Sequence, residues 1–209
     1  NQLTLEGLFG PVFNVVSTAA LVESKHLSNF KIKCFVIKYP DEVRKANKDN
    51  EYEDEVQFLI GNDNRNKFIA DLAVNTQGNT LVLFSRVESH GLKLYNLIKE
   101  RTPKPVHFIY GGTDTNIRED IRKSVELTED SIIVASSQIF STGINIKSLA
   151  NIIFSQPSKS RVRTLQSIGR ALRISAKKDS ATIFDISDDL TWKGRLNYTR
   201  NHFIERLKI

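Results

Sequence analysis

Between residues 62 and 186, short apolar runs alternate with longer stretches in which apolar positions recur every three or four residues. The runs at 80–85 (TLVLFS), 106–110 (VHFIY), 131–135 (SIIVA), 151–155 (NIIFS) and 181–186 (ATIFDI) are short, β-branched and bounded by polar or turn-forming residues, the pattern of strands. Between them, Phe68, Ile69, Leu72 and Ala73 mark one helix, and Leu92, Tyr95 and Ile98 a second. Ile117, Ile121 and Val125 are expected to face the core from a third, which opens on a capping-box-like Asn116 and Glu119. A further helix is predicted over 162–174, and a C-terminal one ending near Leu207. Strands alternating with amphipathic helices predict an α/β fold with a parallel sheet covered on both faces.

The chain before residue 62 is less regular. Residues 1–30 form an irregular lead-in with a short helix over 18–26. Residues 31–39 (KIKCFVIKY) read as a strand stopped by Pro40, with Cys34 buried in it. The acid-rich stretch 41–55 reads as an exposed connection or a marginal helix. The organisation expected is therefore a lead-in over 1–30, a strand and charged connection over 31–61, and the main α/β domain with a C-terminal helix over 62–209.

In a parallel sheet, ligands bind beyond the carboxyl ends of the strands. Three polar or glycine-containing loops belong at that edge: Ser85 and Arg86 after the first core strand, Gly111 and Gly112 after the next, and 136–145 after the third. Each alone fits ordinary turn chemistry. Together they suit phosphate groups, which backbone N–H groups and small residues can approach closely.

Charge sharpens this picture. The 209 residues carry a formal net charge of +6, unevenly spread. Residues 156–178 (QPSKSRVRTLQSIGRALRISAKK) contain Lys159, Arg161, Arg163, Lys177 and Lys178 and no acid, which favours an anionic partner. Wound as a helix, Gln166, Gly169, Arg170 and Arg173 form one stripe at i, i+3, i+4 and i+7, beside an apolar stripe of Leu165, Ile168 and Leu172. Two arginines one turn apart repel, and a mid-helix glycine costs up to about 1 kcal/mol relative to alanine. A phosphate bound by both guanidiniums would offset these terms; the same spacing also fits a solvated basic face.

Other chemistry finds little support. The single cysteine cannot form an intrachain disulfide, which fits a reducing, cytoplasmic setting. His26, His90, His107 and His202 lack ligand spacing with one another or with Cys34, so no metal site is expected. Asp185, Asp188 and Asp189 fit a strand end followed by an acidic helix start. No G-x-S-x-G turn supports a serine nucleophile, no apolar run is long enough to span a bilayer, and the lack of any methionine, even at position 1, fits a fragment or a chain whose true start is missing.

Taken in order, LVLFSR (81–86), IYGG (109–112) with Arg118 downstream, ASSQIFSTGINI (135–146) and QSIGRALR (166–173) resemble the ordered motifs of the second RecA-like domain of superfamily 2 helicases. The wording FSTGINI, with YPDE near Tyr39, is most similar to the UvsW type of phage recombination helicase. This resemblance implies a RecA-like parallel sheet, the second motor domain of an ATP-dependent DNA helicase that remodels branched DNA in recombination or repair. Arg170 and Arg173 would be arginine fingers reaching the γ-phosphate of ATP, oriented with Gln166. Gly143, Asn145 and Gly169 would lie toward the nucleotide. Arg86, Gly111, Gly112, Ser136, Ser137, Arg161 and Arg163 would lie along the nucleic acid. The chain has Ser136 where many relatives have Thr, and Asn145 where many have Asp. ATP and Mg²⁺ would be held mainly by an N-terminal RecA-like domain, because no G-x-x-x-x-G-K-[ST] loop occurs in this sequence. The expected partners are that domain and branched or single-stranded DNA, with no membrane, in a bacterial or phage-infected cell. The alternatives are a non-catalytic nucleic-acid-binding module, an RNA helicase, or the motor subunit of a restriction enzyme.

Overall fold

The computed structural model describes residues 29–142, 146, 148–156 and 180–207. The described residues contain one sheet of six strands: β1 (Asn29–Lys38), β2 (Thr80–Phe84), β3 (Val106–Ile109), β4 (Ile132–Ser136), β5 (Asn151–Phe154) and β6 (Ser180–Asp189). Their spatial order is β1-β6-β5-β2-β4-β3, and every neighbouring pair is parallel. The helices are α1 (Asp41–Ala46), α2 (Tyr52–Gly61), α3 (Asp63–Asn75), α4 (Leu92–Lys99), α5 (Thr115–Leu127), α6 (Ser137–Thr142) and α7 (Tyr198–Arg206), with a π-helical turn at Val87–Gly91 leading into α4. No helix among the described residues is long and apolar enough to cross a membrane.

Alternation along the central strands sends side chains into two cores. Leu81, Leu83, Ile133, Ala135 and Ile152 pack with Val125 of α5 and with Ile146 and Leu149 on one face. Val82, Phe84, Val134, Ile153 and Ile186 pack with Ile69, Ala70 and Ala73 of α3 and Leu94 and Ile98 of α4 on the other. All five residues of β2 and of β4 are buried, which is why they read as continuous apolar runs. Each fully buried leucine, isoleucine or valine here contributes about 1.5–3 kcal/mol.

The two edges of the sheet are tied by different means. At the amino edge, the buried amide of Asn79 donates to Val125 O at 2.9 Å, Thr128 O at 3.1 Å and Ser148 Oγ at 2.9 Å, and accepts from Ser131 N at 2.9 Å. One side chain thus joins α5, β4 and the approach to β5. Gly78 precedes it at φ +84°, where an added Cβ would stand 2.8 Å from the Cβ of Ala150.

At the carboxyl edge, Glu55 of α2 is 2% exposed and takes the place of a helix cap for α7. Its carboxylate accepts from Thr199 N at 2.7 Å, Tyr198 N at 2.9 Å and Asn197 Nδ2 at 2.8 Å. A carboxylate on the free N–H groups of a helix start is favoured by both hydrogen bonding and the helix dipole.

Several sequence expectations change. The stretch 41–55 supplies α1, none of whose residues is buried, and the start of α2. The charge of α2 hid its inward stripe of Glu55, Val56, Leu59 and Ile60. Helix α5 is capped by Asp114, which accepts from Asn116 N at 2.8 Å, and not by Asn116 and Glu119; Glu119 pairs with Arg122 instead. Ile117 is 54% exposed rather than in the core, because it lies in the first turn of α5, outside the Val125 end that meets the sheet. Cys34 is exposed: among the described residues β1 is an edge strand, and Lys31 to Cys34 are exposed. Asp185, Asp188 and Asp189 are inside β6 rather than at a helix start. Asp185 accepts two hydrogen bonds from Arg206, Asp188 is held by Arg65 and Tyr39, and Asp189 accepts from Thr191 N. Among the described residues, no three His, Cys, Asp or Glu side chains gather as a metal-binding group.

Candidate nucleic-acid interface

Because all six strands run the same way, the loops after β2, β3, β4 and β5 emerge at one edge. Backbone and side-chain bonds between neighbouring loops hold them there. The hydroxyl of Ser137, after β4, donates to Phe84 O of β2 at 3.0 Å. Ser155, after β5, donates to Leu83 O at 2.6 Å, and the next residue, Gln156, accepts from Ser85 N at 2.9 Å. Exposed Ser85 is therefore locked to its neighbour, although no core packing restrains it.

Arg86 follows Ser85 and opens the π-helical turn. The turn passes close beneath the strand end: an added Cβ on Gly91 would lie 2.6 Å from the ring of Phe84, so no larger residue fits without displacing that buried ring. Phe84 itself stacks on Phe108 of β3, with centroids 5.4 Å apart. The turn is also anchored by His90, fully buried, with neither ring nitrogen partnered among the described residues. Burial, reinforced by the charges of Arg65 and Lys93, pushes its imidazole down to about 3, so it stays neutral.

Arg86 does not point freely into solvent. Its guanidinium is ion-paired with Glu53 in the first turn of α2, and the hydrogen bond from Arg86 holds that carboxyl below its usual range. Sequence reasoning missed Glu53, because it belongs to a run of acids that reads as generic surface charge.

The β3 loop is built by its own side chains. Thr113 Oγ1 accepts from Tyr110 N at 3.0 Å, and Arg118 of α5 donates to Thr113 O at 2.7 Å and Gly111 O at 3.1 Å. Gly111 and Gly112 are exposed at the tip, with open space around Gly111. Tyr110 lies against Phe108 at 5.6 Å and keeps 36% of its surface exposed. The arginine downstream of the two glycines is thus the clamp that shapes their turn.

Ser136 ends β4 and is only 7% exposed; its Oγ lies 3.5 Å from Ile139 N at the start of α6. Its hydroxyl faces the first free N–H groups of a helix as much as it faces the surface. Of the sequence candidates, Arg86, Gly111, Gly112, Ser136 and Ser137 share this edge. Gly143, Asn145, Arg161, Arg163, Gln166, Gly169, Arg170 and Arg173 lie outside the described residues, as does the helix expected over 162–174.

The edge presents backbone N–H groups, two exposed glycines, hydroxyls and a paired arginine. Groups of these kinds are the ones that contact phosphodiester oxygens without reading bases.

Comparison with known proteins bears on the family and the fold. Residues 64–175 match the family described as the helicase conserved C-terminal domain. The ATP-dependent DNA helicase uvsW of Enterobacteria phage T4 is 34% identical over 221 aligned residues, covering 100% of this chain and 44% of the phage protein. The crystal structure of T4 UvsW matches with a TM-score of 0.75 at 35% identity, over 100% of this chain and 42% of that one. The chain thus spans less than half the length of this relative. A Type ISP restriction-modification enzyme, LlaBIII, solved bound to DNA, matches with a TM-score of 0.60 over 97% of this chain and 15% of its own, at 16% identity, which speaks to the fold alone.

Proposed function

Since the chain belongs to the helicase conserved C-terminal domain family, we propose that it is the second motor domain of an ATP-dependent DNA helicase or translocase that remodels branched DNA in recombination or repair. The observation that carries this reading is the gathering of Arg86, Gly111, Gly112, Ser136 and Gln156 at one sheet edge, in a chain 34% identical along its whole length to a phage DNA helicase.

In this reading the edge lies along the phosphate backbone, with Arg86, the Gly111-Gly112 turn, Ser136 and Ser137 in contact, and Arg161 and Arg163 extending the surface. Gln166, Arg170 and Arg173 face the γ-phosphate of ATP bound to an N-terminal RecA-like domain, and Gly143, Asn145 and Gly169 lie near the nucleotide. That other domain holds Mg²⁺. The guanidiniums of Arg170 and Arg173 stabilise charge on the transferring phosphoryl group, where pre-placed donors have most effect. The isolated 209-residue chain accordingly binds nucleic acid without hydrolysing ATP.

The test is DNA-stimulated ATPase, measured beside DNA affinity, in the full-length protein with Arg170→Ala. The expected result is a loss of turnover on the order of 10³-fold or more, with DNA binding nearly unchanged. Unchanged turnover with weaker, less salt-dependent DNA binding would reassign Arg170 to the phosphate backbone and make the domain a binding module. Equal stimulation by RNA and by forked DNA would overturn the choice of DNA.

A further inference from the structure

Beyond the loops already described, the same sheet edge carries a second constructed feature. After β6 the chain runs through 190–197 into α7, and Trp192, Lys193, Gly194 and Arg195 close a tight turn. Trp192 N donates to Arg195 O at 3.1 Å, and Arg195 N donates to Trp192 O at 2.9 Å. Lys193 and Gly194 have φ of 45° and 83°, the paired left-handed conformation of a type I′ turn. Glycine, asparagine or aspartate is the usual first residue there. Lys193 is the only non-glycine residue with positive φ among the described residues, so a charge is held at the tip despite backbone strain. Lys193 and Arg195 are exposed, and Trp192 is half-buried.

Beside this turn is an open cavity of about 270 Å³, whose wall includes Asn47, Asn50, Trp192, Arg195, Tyr198 and Asn201. Asn50 donates to Asn47 at 2.8 Å, which fixes two amides at the wall. Glu55, which also borders the cavity, is occupied by the N-terminus of α7. Arg195 has only a long contact of 3.9 Å to exposed Asp49. Two aromatic side chains, amides that both donate and accept, and Arg195 in the wall beside Asp49, with Lys193 at the tip of the adjoining turn, make a chemically coherent set. Aromatic faces stack on bases, amides read base edges, and Lys and Arg take the phosphate.

We propose that this cavity is a nucleotide subsite for single-stranded nucleic acid, in which a base stacks on Trp192 and meets the amides of Asn50 and Asn201 while Lys193 and Arg195 bind its flanking phosphates. The proposal rests on the reading that this sheet edge carries nucleic acid. β6 lies two strands from β2, roughly 10 Å across the sheet. A strand passing Arg86 therefore needs only a few nucleotides to reach the turn.

Trp192 is the only tryptophan in the chain, so its emission reports on this cavity alone. The experiment titrates the chain with a short fluorescein-labelled oligothymidylate, following strand anisotropy and tryptophan emission together, with free thymidine monophosphate as a parallel arm. The expected result is quenching of Trp192 at the same midpoint as the anisotropy change, with little response to the mononucleotide. Lys193→Asn preserves the turn's conformational preference while removing the charge. It and Arg195→Gln should each weaken binding and lower the slope of log affinity against log salt by about one, with melting temperature unchanged in Arg195→Gln and unchanged or raised in Lys193→Asn, where strain is relieved. Trp192→Leu should weaken binding by roughly tenfold, read by anisotropy. Quenching by the mononucleotide as tight as by the strand overturns the single-strand subsite and assigns the cavity to free nucleotide. Strand binding that leaves Trp192 emission and the Lys193→Asn affinity unchanged overturns the subsite and spares the Arg86 edge. Absence of binding in both readouts overturns both.

Discussion

Arg65 and Asp188 meet out of reach of water, at the point where α3 begins and β6 ends: Arg65 Nε donates to Asp188 Oδ1 at 2.9 Å, and both side chains are fully buried. Tyr39 donates to the same oxygen at 2.8 Å, and burial beside that carboxylate pushes its phenol well above its usual range. Neither terminal nitrogen of Arg65 has a partner among the described residues, nor does Asp188 Oδ2. Desolvating two charges for one direct hydrogen bond between them adds little net stability, yet removing either charge strands the other. Arg65→Met and Asp188→Leu are each expected to destabilise the domain by about 3–5 kcal/mol, whereas the double replacement recovers most of that loss. Chemical denaturation of the three variants checks this; additive losses would show that the pair is not coupled.

His90 sits beside that pair and gives the fold a pH dependence. Its imidazole is near 6.5 when unfolded and about 3 when folded, so between those values the unfolded chain binds a proton that the folded chain does not. The sign follows from linkage: stability is complete above pH 6.5 and falls as pH drops toward 3, by up to about 1.4 kcal/mol per pH unit. His90→Leu removes this proton and should flatten melting temperature against pH in that window. An unchanged slope would place the acid sensitivity elsewhere.

The Glu53–Arg86 contact sets a carboxylate against the phosphate that Arg86 is proposed to bind. Glu53→Gln should tighten DNA binding a few-fold at low salt, the scale of an exposed ion pair. Arg86→Ala should weaken binding and lower the salt slope by about one. Weaker binding by Glu53→Gln would mean that the acid positions the guanidinium rather than competing for it.

Gly78 and Gly91 are expected to tolerate alanine poorly, for different reasons. Gly78 has left-handed backbone and only 2.8 Å to Ala150 Cβ, and Gly91 has 2.6 Å to the Phe84 ring. Each alanine should cost about 1–3 kcal/mol, the range for overpacked core sites. Gly111, with nothing within 4 Å, should lose stability only slightly on the same change. Thermal unfolding of the three single variants distinguishes these cases.

The central strands and the sheet edge were legible because full burial of β2 and β4 leaves continuous apolar runs, and because motif order places Arg86, Gly111 and Ser136 after successive strands. Partners that depend on distant side chains were not legible. Glu55 caps a helix 143 residues away, and Arg65 finds Asp188 across 123 residues; in sequence both look like surface charges. The clamp of Arg118 on Gly111 was half visible, since the motif names the arginine but not the carbonyl it holds. Trp192 and its turn carry no motif, and positive φ at a lysine cannot be read from composition.

β1 pairs with β6 along all ten of its residues, Asn29 with Ser180 through Lys38 with Asp189, and among the described residues its other side is the end of the sheet. During synthesis the first of these strands therefore has no partner until the chain has grown about 150 residues further. Such distant pairings close late and slow folding. In the interval an apolar, β-prone ribbon stands open to other chains. Lys31, Lys33 and Lys38, spaced along it, make its stacking on another copy electrostatically unfavourable. Those lysines guard a nascent strand whose partner is made about 150 residues later.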